Sequence, residues 1–131
     1  MLSIAICDDE EYFRTTEKKL ISKYMAGKNC ECMIDMYESG KELLALRSAI
    51  SQYNIIFLDV NMEEIDGIET AKEIRKISKD VFIVFVTAFI TYALEGYKVD
   101  AVRYLIKDHE SLEKAMTECM DTILDKMDYE E

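Results

Sequence analysis

Val81-Phe82-Ile83-Val84-Phe85-Val86 is an unbroken apolar run, and Thr87-Ala88 follow it directly. A strand without alternation must be covered on both faces, which marks the centre of a parallel sheet flanked by helices. Working outward, Leu2 to Cys7 and Ile55-Ile56-Phe57-Leu58 are runs of the same kind, and both stop at acids, Asp8-Asp9 and Asp59. Cys32 to Tyr37 and Ala101 to Ile106 read as two further strands. Between these runs the period changes to that of a helix. Glu11 to Ala26 carries Phe13, Leu20 and Tyr24 at helical spacing, with Gly27 placed for a stop. Ser39 stands to cap a helix through Leu43, Leu46 and Ile50, with Glu42 completing a capping box. Asp66-Gly67 opens a helix whose Ile68, Ala71, Ile74 and Ile77 share a face. A short helix from about Thr91 to Gly96 follows, then a last one striped by Leu112, Ala115, Met116, Cys119, Ile123 and Met127. Strands alternating with helices in this way predict a three-layer, doubly wound α/β fold with a five-stranded parallel sheet and right-handed crossovers.

The chain has 131 residues, 50% hydrophobic and 33% charged, which suits one globular domain. Lys and Arg number 16 against 27 Asp and Glu, a net charge of −11. Nucleic acids are gripped by clustered Lys and Arg that release counterions, so this segment is not expected to contact nucleic acid itself. No apolar run approaches the roughly 20 residues of a membrane span. The start, Met1-Leu2-Ser3-Ile4, has no basic leader and does not read as a secretory signal. Cys7, Cys30, Cys32 and Cys119 form no CxxC pair and read as reduced cytoplasmic thiols, not as a zinc site or disulfide framework. The eight methionines are core fillers.

In an open α/β sheet, ligands bind outside the carboxyl ends of the strands. Those ends carry Asp8 and Asp9, then Asp59, then Thr87 and Ala88, and finally Lys107. Carboxylates converging on one edge repel each other unless a cation sits among them, and hard oxygen ligands suit Mg²⁺. Lys107 and the Thr87 hydroxyl add a positive charge and a donor, the parts that stabilise a transferring phosphoryl group. Asp59 follows the most buried strand and is the candidate nucleophile, since carboxylates form aspartyl phosphates. Singly, each residue has a plainer reading. Asp8-Asp9-Glu10-Glu11 can be an acidic helix start, Asp59 a turn residue, Thr87 a helix cap and Lys107 a solvated lysine. The conjunction at successive strand ends carries the argument.

Ile6-Cys7-Asp8-Asp9-Glu10, Ile56-Phe57-Leu58-Asp59-Val60-Asn61-Met62, Asp66-Gly67, Val86-Thr87-Ala88 and Tyr104-Leu105-Ile106-Lys107 stand in an order and spacing that resemble the receiver domain of two-component response regulators. The resemblance covers nearly the whole chain. It implies a CheY-like, flavodoxin-type sheet of strand order 2-1-3-4-5, with residues 1–125 as the domain and 126–131 opening a linker or tail. It also implies that Asp59 is a phosphoacceptor supplied by the histidine of a partner sensor kinase, a switch and not an enzyme. Mg²⁺ would be held by Asp9, Asp59 and the Asn61 backbone carbonyl, with Asp8 acting largely through a metal-bound water. Thr87 and Lys107 would contact the phosphoryl oxygens, Ala88 would keep the approach open, and Tyr104 would swing inward as Thr87 moves.

The chain departs from the pattern at Glu63 and at Asp108, where receivers usually carry proline. A cis bond before a non-proline residue costs about 3 kcal/mol, so Lys107-Asp108 is expected to be trans, which bears on how Lys107 reaches the pocket. Ala101-Val102-Arg103-Tyr104 and Lys107-Asp108 resemble the peptide-pheromone-responsive branch, whose output is a LytTR-type DNA-binding domain absent from this chain. The 92–127 region, with Lys98, Asp100 and Arg103, is the face expected to pair two copies. His109 is expected in the first turn of the last helix, without a role in phosphotransfer. Other classes remain as alternatives. A flavodoxin-like cofactor site wants a loop that cradles phosphate, and Asp8-Asp9-Glu10-Glu11 repels it. A Mg²⁺-dependent phosphohydrolase wants a second acid where Asn61 stands. A stand-alone receiver acting through protein contacts is open.

Overall fold

The computed structural model describes residues 1–88 and 99–127. Its strands are β1 (Leu2–Cys7), β2 (Cys32–Tyr37), β3 (Ile55–Asp59), β4 (Phe82–Thr87) and β5 (Arg103–Ile106). The α-helices among the described residues are α1 (Glu11–Gly27), α2 (Gly40–Leu44), α3 (Gly67–Ile77) and α4 (Leu112–Lys126), and a 3₁₀ segment over Arg47–Gln52 follows α2. All strand pairs are parallel, in the order β2-β1-β3-β4-β5. The α/β fold and strand order expected from the sequence are the ones observed. The register pairs Cys7 with Leu58, Asp59 with Val86 and Thr87 with Ile106, so the acidic strand ends and the β4–β5 ends fall on one edge.

Apolar residues stand on both faces of the central strands, and each face has its own core. Ala5, Ile56, Leu58, Ile83 and Phe85 pack against Leu43 of α2 and Ala71 and Ile74 of α3. Ile4, Ile6, Phe57, Val84 and Val86 pack against Ile21 and Met25 of α1 and Met116, Cys119 and Ile123 of α4. Each such Ile, Val or Phe contributes about 1.5–3 kcal/mol by leaving water, which is why the continuous apolar runs end up inside. β2 is an edge strand with no fully buried residue, and Met33, Asp35 and Met36 are exposed on it.

Local details differ from expectation where tertiary contacts decide. On α1 the buried stripe is Glu17, Ile21 and Met25, while Phe13, Leu20 and Tyr24 flank it half-buried. Hydropathy alone skipped the true stripe because a carboxylate stands at its head. The left-handed residue after α1 is Asn29 (φ 57°), not Gly27, which stays helical. Asn tolerates this backbone region because its short amide bonds locally. Ser39 does cap α2, its Oγ accepting from Glu42 N at 3.0 Å. The expected continuous helix to Ile50 instead breaks at Arg47 (φ 53°) and continues as 3₁₀. Ile77, the last residue of α3, is 38% exposed and does not share the buried face of Ile68, Ala71 and Ile74. β4 and β5 begin at Phe82 and Arg103, one and two residues later than expected. His109 lies in the turn before α4. The Thr91–Gly96 helix and part of the 92–127 face lie outside the described residues.

Candidate functional site

Asp8 is the first residue past β1, and backbone contacts hold it in place. Its N–H donates to Tyr37 O at 3.1 Å, and its carbonyl accepts from Arg14 Nη1 at 2.8 Å. Its Oδ1 accepts from Glu10 N at 2.8 Å, a side-chain turn that leads the chain into α1. Asp59 ends β3, and its Oδ1 accepts from Asn61 N at 3.2 Å. Gly67 opens α3 directly against this strand end. A Cβ there would be driven into the Asp59 carbonyl oxygen and would lie 2.8 Å from Val60 Cα, so no larger residue fits without moving the site. Asp66 caps the same helix, its Oδ1 accepting from Glu69 N at 2.8 Å. Thr87 is buried at the end of β4, and its carbonyl accepts from Lys107 N at 2.9 Å.

These anchors bring distant carboxylates together. One oxygen each from Asp8, Asp9, Glu10 and Asp59 lies within 4.8 Å of the others. Asp8 and Asp59 are buried, while Asp9 and Glu10 are exposed and leave the cluster open to solvent. Lys107 Nζ lies 3.0 Å from Asp8 Oδ2, 3.2 Å from Asp59 Oδ2 and 3.2 Å from Glu10 Oε1. The same ammonium sits 4.4 Å from the centre of the Phe13 ring. The Lys107-Asp108 bond is trans, as expected, and Lys107 reaches the carboxylates all the same. Asp108 holds the turn that follows Lys107. Its Oδ1 accepts from Glu110 N at 3.2 Å, its Oδ2 accepts from Ser111 Oγ at 3.0 Å, and its carbonyl accepts from Leu112 N at 2.9 Å. In the loop after Asp59, the Glu63 carbonyl accepts from Ile65 N at 2.8 Å and Glu64 takes the left-handed φ of 65°.

Other residues singled out by sequence stand nearby in the chain. Asn61 is exposed, tied by its N–H to Asp59. Ala88 is exposed just past Thr87. Tyr104 is half-buried on β5, its ring 5.1 Å from that of Phe85, within the core facing α2 and α3. His109 lies beside Tyr12, its Nδ1 at 3.1 Å from the Tyr12 hydroxyl. Sequence reasoning missed Glu10, Phe13 and Arg14 as site residues and Glu17 as a buried one. The i, i+4 spacing from Phe13 to Glu17 was the available signal, but a glutamate at that spacing reads as solvated until the stripe is known to be buried.

Burial, and then the charge of Asp8, push the Asp59 carboxyl up to about 7, against the pull of Lys107. Burial also raises Asp8, although the Glu10 amide and Lys107 oppose it. For Lys107, burial pulls downward, but Asp8 and Asp59 outweigh it and hold the ammonium above its ordinary value. One lysine thus cannot fully satisfy the carboxylates around it. Asp8 Oδ2 and Asp59 Oδ2 are buried without an aligned hydrogen-bond donor, though Lys107 lies at ion-pair distance. An all-oxygen set with such orphaned atoms fits a hard divalent cation that keeps part of its water shell.

The family described as "Response regulator receiver domain" matches residues 4–128. The chain is 34% identical over 108 residues to the sensory transduction protein LytT of Oceanobacillus iheyensis, covering 81% of this chain and 42% of that protein. It is 33% identical over 105 residues to the sensory transduction protein LytR of Staphylococcus saprophyticus, covering 80% of this chain and 39% of that one. The chain therefore spans about two fifths of the length of these relatives. Among solved structures, the response regulatory domain of mrkE from Klebsiella pneumoniae superposes with a TM-score of 0.82 at 23% identity, covering 95% of this chain and 97% of that one. The response regulator TrrA of Thermotoga maritima, in complex with Mg(2+)-BeF, superposes with a TM-score of 0.76 at 31% identity, covering 95% and 100%. With this match running almost from end to end, and with LytT and LytR regulators among its relatives, the chain belongs to the response regulator receiver domain family.

Proposed function

We propose that this chain is a phosphorylation-controlled switch in which Asp59 accepts a phosphoryl group from the histidine of a sensor kinase. The observation that carries the reading is the convergence of Asp8, Asp9 and Asp59 carboxylates within 4.8 Å of one another, with the buried Lys107 ammonium paired to Asp8 and Asp59. A carboxylate oxygen of Asp59 attacks phosphorus and forms a P–O bond. The P–N bond to the kinase histidine breaks, and its electron pair stays on the imidazole, which takes up a proton. Asp9, Asp59 and the Asn61 carbonyl would hold Mg²⁺, with Asp8 acting through a bound water. When bound, the ion supplies charge neutralisation among the carboxylates and the phosphoryl oxygens. Lys107 and the Thr87 hydroxyl engage the remaining phosphoryl oxygens. The group biases the fold only by binding one Thr87/Tyr104 arrangement better than the other, and Ala88 leaves the approach clear.

In this reading residues 1–125 are the receiver and 126–131 open a linker. A DNA-binding output of LytTR type lies outside the chain, as the Staphylococcus aureus relative named transcriptional regulatory protein LytR suggests. Two copies pair through the 92–127 region. The site of action is the cytoplasm, and no described helix is long and apolar enough to cross a membrane. Asn61 in place of a second acid favours a lasting phosphoryl group over fast hydrolysis. The test is incubation with Mg²⁺ and beryllofluoride or acetyl phosphate, followed by mass and amide spectra. A Mg²⁺-dependent adduct that disappears in Asp59→Asn is expected, and a wild type that gives none refutes the reading.

A further inference from the structure

The carboxylates of Asp8, Glu10 and Asp59 pair with the Lys107 ammonium, and the face of the Phe13 ring adds a contact of another kind, 4.4 Å from Nζ to the ring centre. A cation over an aromatic face is drawn to the ring quadrupole, and the attraction strengthens where water is excluded. Lys107 meets that condition, its side chain being 3% exposed. The ring is also held in its orientation. Phe13 lies in the first turn of α1, where the Glu10 carbonyl accepts from Phe13 N at 3.1 Å and from Arg14 N at 3.0 Å. Its ring meets that of Tyr12 edge-on at 5.1 Å and stacks with that of His109 at 6.3 Å. The Tyr12 hydroxyl lies 3.1 Å from His109 Nδ1. His109 belongs to the turn that follows Lys107, so these rings tie that turn to α1 and fix Phe13 between them.

We propose that Phe13 is a positioning residue: its ring face keeps the Lys107 ammonium in the pocket while the carboxylates change partners. The proposal rests on the phosphoacceptor reading given above. In that reading Asp59 turns to the cation and Asp8 to its bound water, so oxygens that now pair with Lys107 are the ones drawn away. The aromatic face takes no part in that exchange, because a hard cation claims oxygen atoms. In the resting pocket the ring only adds to the three carboxylates. Once a phosphoryl group enters, it is the contact that persists, and a contact worth more in one state than in the other shifts the balance toward that state.

The test is titration with beryllofluoride, which stands in for the phosphoryl group, at saturating Mg²⁺, read from the amide resonances of Thr87 and Lys107. The proteins compared are wild type, Phe13→Leu, Phe13→Tyr and a series with mono-, di- and pentafluorinated phenylalanine in place of Phe13. Phe13→Leu is expected to weaken beryllofluoride binding about three- to tenfold, while Phe13→Tyr, which keeps a ring face, stays within about twofold of wild type. Affinity should fall step by step along the fluorinated series, since fluorine drains negative charge from the ring face with little change in its size. Without metal, the ring current should shift the Lys107 ε-methylene protons upfield in the wild type and release them in Phe13→Leu. Thermal unfolding verifies that the variants fold, and the fluorinated series carries the comparison should Phe13→Leu not fold. A flat fluorinated series, or wild-type ε-methylene protons at their ordinary position, overturns the positioning role while leaving the phosphoacceptor reading intact. A wild type that binds no beryllofluoride refutes that reading and the positioning role with it.

Discussion

Replacing Asp59 by asparagine should make the metal-free protein more stable, although it removes the proposed phosphoacceptor. Asp59 is 2% exposed and shares Lys107 with Asp8, so its charge is poorly compensated in the fold. Its carboxyl is displaced from 3.8 to about 7. At about 1.4 kcal/mol per pH unit, the full displacement corresponds to on the order of 4 kcal/mol. The unfolded chain ionises Asp59 above pH 4, whereas the folded chain holds the proton until about 7. Folded stability therefore falls as pH rises through this interval, and the whole cost is present above it. Allowing about half for local relaxation, Asp59→Asn should gain about 2 kcal/mol at pH 7.5, and less than about 1 kcal/mol at pH 5. The variant amide can still accept the Asn61 N–H that now reaches Asp59 Oδ1 at 3.2 Å. The assay is urea unfolding at both pH values with EDTA, then with Mg²⁺. About 2 kcal/mol should raise Tm by roughly 6–8 °C in a domain of this size. Saturating Mg²⁺ at a hundred times its Kd should return about 2.7 kcal/mol to the wild type and much less to the variant. A variant less stable than wild type at pH 7.5 without metal, or a gain that does not change with pH, refutes the reasoning.

Lys107→Met should act in the opposite sense. It strands Asp8 and Asp59 without their cation and should cost about 3 kcal/mol at pH 7.5, with much of the loss recovered at pH 5, where the acids take up protons; urea midpoints at the two pH values check this. Gly67→Ala drives a methyl group into the Asp59 carbonyl, so it should cost about 1–3 kcal/mol and weaken Mg²⁺ binding together, both measurable on one sample by unfolding and calorimetry. Asp66→Ala removes the α3 cap at 2.8 Å from Glu69 N and should cost about 1 kcal/mol while leaving Mg²⁺ affinity unchanged, which separates helix stability from the site.

Much of the architecture is legible in the order of residues because burial on both faces leaves an unmistakable mark. Val81 to Val86 and Ile55 to Leu58 cannot be solvated, and their failure to alternate forces a covered parallel sheet. The acids follow those runs immediately, so a parallel arrangement brings Asp8, Asp9 and Asp59 to one edge before any contact is known. Asp66 and Ser39 were readable as caps because capping is a local bond within one turn.

What linear order could not decide depended on which neighbour arrives from elsewhere. Glu17 looks like a solvated glutamate until α1 packs on the sheet and buries it. α2 ends at Leu44 and Arg47 takes a left-handed φ at the start of the 3₁₀ segment, while Asn29 rather than Gly27 takes the left-handed turn after α1. Asp108 raised doubt about Lys107, and the bonds from Asp108 to Glu110, Ser111 and Leu112 show that a trans bond also delivers the lysine. By itself, then, the sequence determined the layered parallel fold and which acids share its active edge, since hydrophobic burial and strand direction are written along the chain. Only the tertiary structure decided the inner side of that edge: the reach of Lys107, the support of Phe13 and Arg14, and the burial of Glu17. Those depend on desolvation and charge at distances of a few ångströms between residues far apart in sequence.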